Sequence, residues 1–144
     1  MRRRQVFVDT WAWIAWANKR DPAHARAVAL RQAVQREGAG LVTSDLVLCE
    51  ALTRLRYDFG LPTALLLLAT LEFLVDDGAV EVVFVDQRLW KAALAWFQSF
   101  TDQRFSFVDC SSFAIMAERE LDTALTADRH FTTAGFIALG AIES

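Results

Sequence analysis

At 144 residues the chain can bury one hydrophobic core, and it reads as a single domain spanning 1–144. Its net charge of −3 excludes a global positive field for nucleic acid, so such contacts need local basic groups and bound cations. Cys49 and Cys110 have neither metal-ligand spacing nor the numbers for a disulfide framework, which suits a reducing cytoplasm.

Residues 5–9, rich in β-branched and aromatic side chains, read as a short buried strand. A short helix follows over 10–18, with Trp11, Trp13 and Trp16 read as core residues rather than as a base-stacking platform. Asp21 as N-cap and Pro22 at the first helical position start a helix that runs to Glu37 and stops at Gly38. A strand at 39–42 leads into a helix over 44–59, where Leu48, Leu52, Leu55 and Phe59 recur at spacings of three and four. Gly60 ends it, and Pro62 begins another helix that reaches Asp77 and Gly78. Leu65, Leu66, Leu67 and Leu68 place leucine all round that helix, which implies either deep burial or a surface shared with a partner. A strand at 80–85 follows, then a helix capped by Asp86 and running to Phe100, and a helix over 109–121. The chain closes with a strand at 124–126, a helical turn or two over 128–134 and a last strand at 136–139. Apolar strands alternating with helices indicate a three-layer α/β/α domain with a central, mainly parallel sheet.

The start Met1, Arg2, Arg3 and Arg4 has the charge of a signal peptide, but Asp9, Asn18, Lys19 and Arg20 interrupt the apolar run that a signal peptide requires after it. The most apolar stretch, 61–75, contains Glu72 and falls short of the roughly 20 residues a membrane helix needs. A soluble, cytoplasmic protein without membrane contact is expected. The apolar fraction of 54% exceeds the usual value of about 45–50% and suggests surface kept for a second copy or a partner, so a homodimer is expected.

Four acids occupy matching places in this pattern: Asp9, Glu50, Asp109 and Asp128. Each ends a buried strand or lies in the first turns of the helix after one. In a parallel sheet those positions share one edge, where ligands bind. Each acid also has an ordinary explanation. Asp9 and Asp128 could cap helices, Glu50 could pair with Arg54, and Asp109 could complete a capping box with Ser106. Together, four carboxylates in apolar context are costly to ionise unless cations offset them. Oxygen-only ligands select hard ions such as Mg²⁺ or Mn²⁺, and no His/Cys cluster supports zinc. A hydrolytic triad from Ser111, Ser112 and His130 lacks a nucleophile elbow, and there is no Gly-rich phosphate loop. His24 and His130 read as surface or packing residues, although His130 follows closely on Asp128.

Four segments now resemble one family in order along nearly the whole chain. They are Phe7-Val8-Asp9-Thr10-Trp11, Thr43-Ser44-Asp45 through Cys49-Glu50-Ala51, Ser106-Phe107-Val108-Asp109-Cys110, and Leu125-Thr126-Ala127-Asp128-Arg129-His130. The chain resembles PIN-domain nucleases, most of all the VapC-type toxins of bacterial and archaeal toxin–antitoxin pairs. The resemblance implies a PIN-like fold and a metal-dependent endoribonuclease with Asp9, Glu50, Asp109 and Asp128 as the catalytic, metal-binding acids. It implies hydrolysis by a metal-activated water, leaving a 5′-phosphate and a 3′-hydroxyl. Thr10 matches the family's hydroxyl beside the first acid and would orient a ligand or water; Trp11 is bulkier than the small polar residue often found there. Arg54, Arg104 and Arg129 are candidates for phosphate contacts, each also readable as an ordinary surface arginine. A VapB-type antitoxin is the implied partner, besides the RNA substrate. A PIN nuclease of RNA processing outside any toxin pair, and a non-catalytic RNA- or protein-binding PIN module, are the alternatives.

Overall fold

The first strand decides where everything else goes. In the computed structural model, which describes residues 3–141, β1 (Gln5–Val8) lies in the middle of a five-stranded sheet. Met1 and Arg2, half of the basic start, fall outside the described residues. After β1 come α1 (Thr10–Ala17), α2 (His24–Arg36), β2 (Gly40–Ser44), α3 (Asp45–Phe59), α4 (Leu61–Asp76) and β3 (Val80–Val83). The remainder is α5 (Gln87–Ser99), α6 (Phe107–Glu118), β4 (Thr123–Leu125), α7 (Arg129–Thr133) and β5 (Ile137–Ala138). The sheet order is β3-β2-β1-β4-β5, and every pairing is parallel.

That order has a reversal. The chain steps outward from β1 through β2 to β3, then returns to the other side of β1 as β4. Such a switch leaves a crevice at the strand C-terminal ends, because the connecting helices diverge to opposite faces. Val6, Phe7, Val8, Val42, Ala124 and Leu125 are wholly buried, as strands covered on both faces require. Trp13 locks α1 to the sheet: its indole N–H donates to Thr43 Oγ1 at 3.1 Å, and that hydroxyl donates to the Val8 carbonyl at 2.9 Å.

Several boundaries differ from the expected ones, each for a local reason. Asp21 does not cap α2. Its side chain accepts from the Ala23 N–H at 2.8 Å and its carbonyl from the His24 N–H, closing a turn before the helix begins. The strand expected at 80–85 ends at Val83, because the Val85 N–H bonds to Asp45 Oδ1 at 2.9 Å instead of a strand neighbour. The helix expected at 109–121 begins at Phe107, since Ser106 is its N-cap, and ends before Glu120, which adopts φ 57°. Gly60, at φ 94°, turns α3 directly into α4, a backbone state that side chains resist.

Of the four successive leucines on α4, Leu67 is buried while Leu65, Leu66 and Leu68 are exposed. Deep burial of the helix is therefore ruled out, and an apolar surface remains. No helix among the described residues is long and apolar enough to cross a membrane.

Candidate metal centre

β1 delivers Asp9 to the C-terminal edge of the sheet, next to β4. Asp9 is the N-cap residue of α1 by backbone position, yet its side chain makes no capping bond to the helix. It accepts instead from the Thr126 hydroxyl at 2.8 Å, across 117 residues of sequence. Capping alone therefore fails to account for it. The same Thr126 hydroxyl accepts from the Asp128 N–H at 3.0 Å. One side chain thus ties the first acid to the backbone of the last.

Asp109 sits in the first turn of α6 and does complete the capping box. Its N–H donates to Ser106 Oγ at 3.0 Å, and its Oδ2 accepts from the Ser106 N–H at 3.1 Å. Asp128 caps α7 by accepting the His130 N–H at 2.8 Å. For these two acids the ordinary explanation holds and is incomplete. His130 Nδ1 lies 3.1 Å from Asp109 Oδ2 and 3.4 Å from Asp128 Oδ1. The Nδ1 is thus within reach of both carboxylates. Ligand atoms of Asp109, Asp128 and His130 all lie within 4.8 Å of one another, close enough to hold a metal ion. An imidazole nitrogen thus stands beside the carboxylates, a neighbour that the oxygen-only reading did not include.

Glu50 stands apart. It is half-buried on α3, a helix that packs against both α1 and α6. No hydrogen bond or ion pair among the described residues joins it to the other three acids, and none joins it to Arg54. Asp9 feels the charges of Asp109 and Asp128, and Glu50 lies on a helix that borders both α1 and α6. Arg54 and Arg104 are exposed and pair with none of the acids, while Arg129 is exposed at the start of α7 beside Asp128.

The acids are electrostatically expensive. Burial pushes Asp9 up to about 7; the Thr126 hydroxyl and the Thr10 backbone N–H oppose the shift, and the charges of Asp109 and Asp128 add to it. Burial likewise raises Asp109, with the Ser106 N–H and His130 pulling the other way. Carboxylates packed like this ionise readily only with a compensating cation. Next to them, the buried hydroxyl Thr10 Oγ1 has no hydrogen-bond partner among the described residues. A buried polar atom without a partner points to a missing ligand or water. Hard oxygen donors, raised carboxyls and an unpartnered hydroxyl all fit a divalent cation.

Residues 6–137 match the family model for the PIN domain. This chain belongs to the PIN-domain family. It is 32% identical over 132 residues to the 23S rRNA-specific endonuclease VapC20 of Mycobacterium tuberculosis, covering 92% of this chain and 95% of that one. The crystal structure of Mycobacterium tuberculosis VapC20, described as a sarcin–ricin loop cleaving toxin, superposes with a TM-score of 0.81 at 30% identity. That match covers 92% of this chain and 96% of the crystallised one. VapBC2 from Rickettsia felis, crystallised with a DNA fragment from its promoter, shares the fold at a TM-score of 0.69 and 12% identity, over 93% and 96% of the two chains. The chain is a homologue of a VapC toxin endoribonuclease.

Thr126 and His130 were not among the site residues expected from sequence. A threonine ending a strand and a histidine in a helical turn carry no signal of their own. The adjacency of His130 to Asp128 was the only hint, and it could not show that Asp109 approaches the same ring nitrogen. His24, by contrast, is the packing residue expected, with Nδ1 2.7 Å from the Ala15 carbonyl oxygen.

Proposed function

We propose that this PIN-domain protein is a divalent-metal-dependent endoribonuclease, the toxin of a VapBC-like pair, using Mg²⁺ or Mn²⁺. The observation that carries this reading is the convergence of Asp9, Asp109 and Asp128 at one sheet edge, tied together by Thr126 and His130. Asp9, Asp109 and Asp128 would hold the ion, with Glu50 contributing from α3. A divalent ion bound there supplies Lewis-acid polarisation of the scissile phosphate and lowers the pKa of a coordinated water.

The chain's own residues support this chemistry in distinct ways. Thr126 orients the Asp9 carboxylate, and His130 fixes that of Asp109. Outer hydrogen bonds of this kind set ligand orientation and tune affinity. The unpartnered Thr10 hydroxyl is placed to hold a water or phosphate oxygen beside Asp9. No side chain nearby serves as nucleophile. The Ser111 and Ser112 hydroxyls both donate to the Val108 carbonyl, at 2.7 and 3.0 Å. Cys110 is wholly buried, and burial together with the Asp109 charge pushes its thiol up to about 11. That leaves the family mode of attack by a metal-activated water, which gives a 5′-phosphate and a 3′-hydroxyl.

The first substrate to try is an RNA hairpin carrying the sarcin–ricin loop, the element that VapC20 cleaves. Cleavage with Mg²⁺ or Mn²⁺ is expected, with loss in EDTA and in Asp9→Asn. Full activity in EDTA would sink the metal-dependent reading. The exposed Leu65, Leu66 and Leu68 of α4 support a partner surface, filled by a second copy of the chain or by a VapB-type antitoxin. Sedimentation as a monomer at high micromolar concentration would rule out the homodimer.

A further inference from the structure

Three tryptophans one turn or less apart on α1 have three different surroundings. Trp13 is buried, with its N–H given to Thr43. Trp16 donates to the Ala27 carbonyl at 2.9 Å and has the Arg31 guanidinium 5.3 Å above its ring. Trp11 has neither a hydrogen-bond acceptor nor an aromatic partner among the described residues. Like Trp16 it packs partly buried against the core, and part of its ring stays accessible.

Trp11 is nonetheless held in place. A Cβ added at Gly140 would lie 2.7 Å from Trp11 Cζ3 and 2.6 Å from the Thr126 carbonyl oxygen. The Gly140 N–H donates to that same carbonyl at 2.7 Å, which fixes bare backbone against the ring edge. The ring is one wall of a cleft of about 510 Å³ that also takes in Ala23, Arg26, Ala127 and Arg129. That volume lies within the roughly 300–1,000 Å³ of clefts that take small ligands. Ala127 and Arg129 flank Asp128, and Trp11 stands two residues after Asp9, so the cleft adjoins the acid cluster. A flat aromatic wall with arginines at the rim suits an unpaired base and its phosphate.

We propose that this cleft binds a nucleobase of single-stranded RNA next to the cleaved phosphate, stacked on Trp11, with the exposed Arg26, one N–H of which donates to the Ala141 carbonyl at 3.3 Å, turning its remaining N–H groups to the adjoining phosphate. The assignment deepens the ribonuclease reading and rests on it for the position of the cut. Stacking needs only a π-face, so the subsite favours unpaired over paired nucleotides more than any one base.

Binding of a fluorescein-labelled single-stranded RNA of about ten nucleotides, followed by anisotropy in EDTA, tests the subsite without cleavage. Trp11→Ala is expected to weaken binding about tenfold, Trp11→Phe to retain most of it, and Arg26→Gln to flatten its salt dependence. In Mn²⁺, an abasic nucleotide beside the cut should slow the wild type and leave Trp11→Ala no slower than with intact RNA. Equal binding by wild type and Trp11→Ala, both with unchanged thermal melting, overturns the subsite, as does failure of the wild type to bind. RNA binding that depends on Trp11 without any cleavage in Mn²⁺ keeps the subsite and overturns the ribonuclease reading. Cleavage indifferent to Trp11 does the reverse.

Discussion

The two ends of the sheet use the same residue types and reach opposite electrostatic outcomes. Where the strands begin, Arg3, Gln5, Glu81, Glu118 and Arg119 line an open cleft of about 490 Å³. Every acid there has a basic partner. Arg119 makes two hydrogen bonds to Glu81, at 2.8 and 2.6 Å, and Arg88 pairs with Glu118. The Arg119 hydrogen bonds hold the Glu81 carboxyl below its ordinary value. Where the strands end, Asp9 and Asp109 are buried and both are raised. Acid count therefore says little about function. Acids left without a protein cation, in a place water reaches poorly, are the ones that need an ion.

This contrast can be broken in stages. The largest effect is expected from Asp109→Asn or Asp9→Asn, which keep shape and remove a ligand charge; cleavage should fall by at least about a hundredfold, measured by initial rates on the loop RNA. His130→Ala comes next, with metal affinity expected to drop about 10–100-fold in a Mn²⁺ titration. An unchanged dissociation constant would reduce His130 to a packing residue.

Metal should also stabilise the fold. With Mn²⁺ at about a hundred times its dissociation constant, the gain is about 2.7 kcal/mol, seen as a melting point several degrees higher than in EDTA. The chelated protein should show the converse pH response. Asp9 lies at about 7 in the folded chain against an ordinary 3.8, so the folded state keeps a proton that the unfolded state releases between those values. Stability is then highest at acid pH and falls as pH rises from about 4 to about 7, by at most about 1.4 kcal/mol per unit. Asp9→Asn should flatten that slope, while a slope unchanged in the variant would remove Asp9 as its source. The smallest effect belongs to the opposite end. Glu81→Gln breaks an exposed pair and should cost under about 1 kcal/mol in urea unfolding, without changing cleavage.

Much of this was legible in sequence because it depends on local pattern. Burial on both faces makes β1 and β4 uninterrupted apolar runs, and strand alternation with helices fixed the parallel sheet. The acids were legible because they stand just beyond those runs. What stayed hidden depends on contacts between distant segments. Thr126 reaches Asp9, and Gly140 backs Trp11, through pairings that no spacing encodes. Helix starts were misjudged for a related reason: Asp21 and Ser106 both carry good capping side chains, and only the folded backbone decides which one caps. The same limit explains Glu50. Its ion pair with Arg54 was the favourable i to i+4 arrangement, but a helix side chain has several rotamers and this pair is not made.

The central position of β1 bears on the order in which the protein comes off the ribosome. Chains fold as they emerge, N-terminal parts first, at about 5–20 residues per second. A nascent chain that has reached the end of α5 already contains Asp9 and Glu50. It can pair β1 with β2 and β2 with β3, but it has neither Asp109 nor Asp128, and the β4 side of β1 is still bare. Thr126, which orients Asp9, arrives after Asp109 and just before Asp128. The three carboxylates therefore meet only once β4 has joined β1, whatever the first half of the chain has already built.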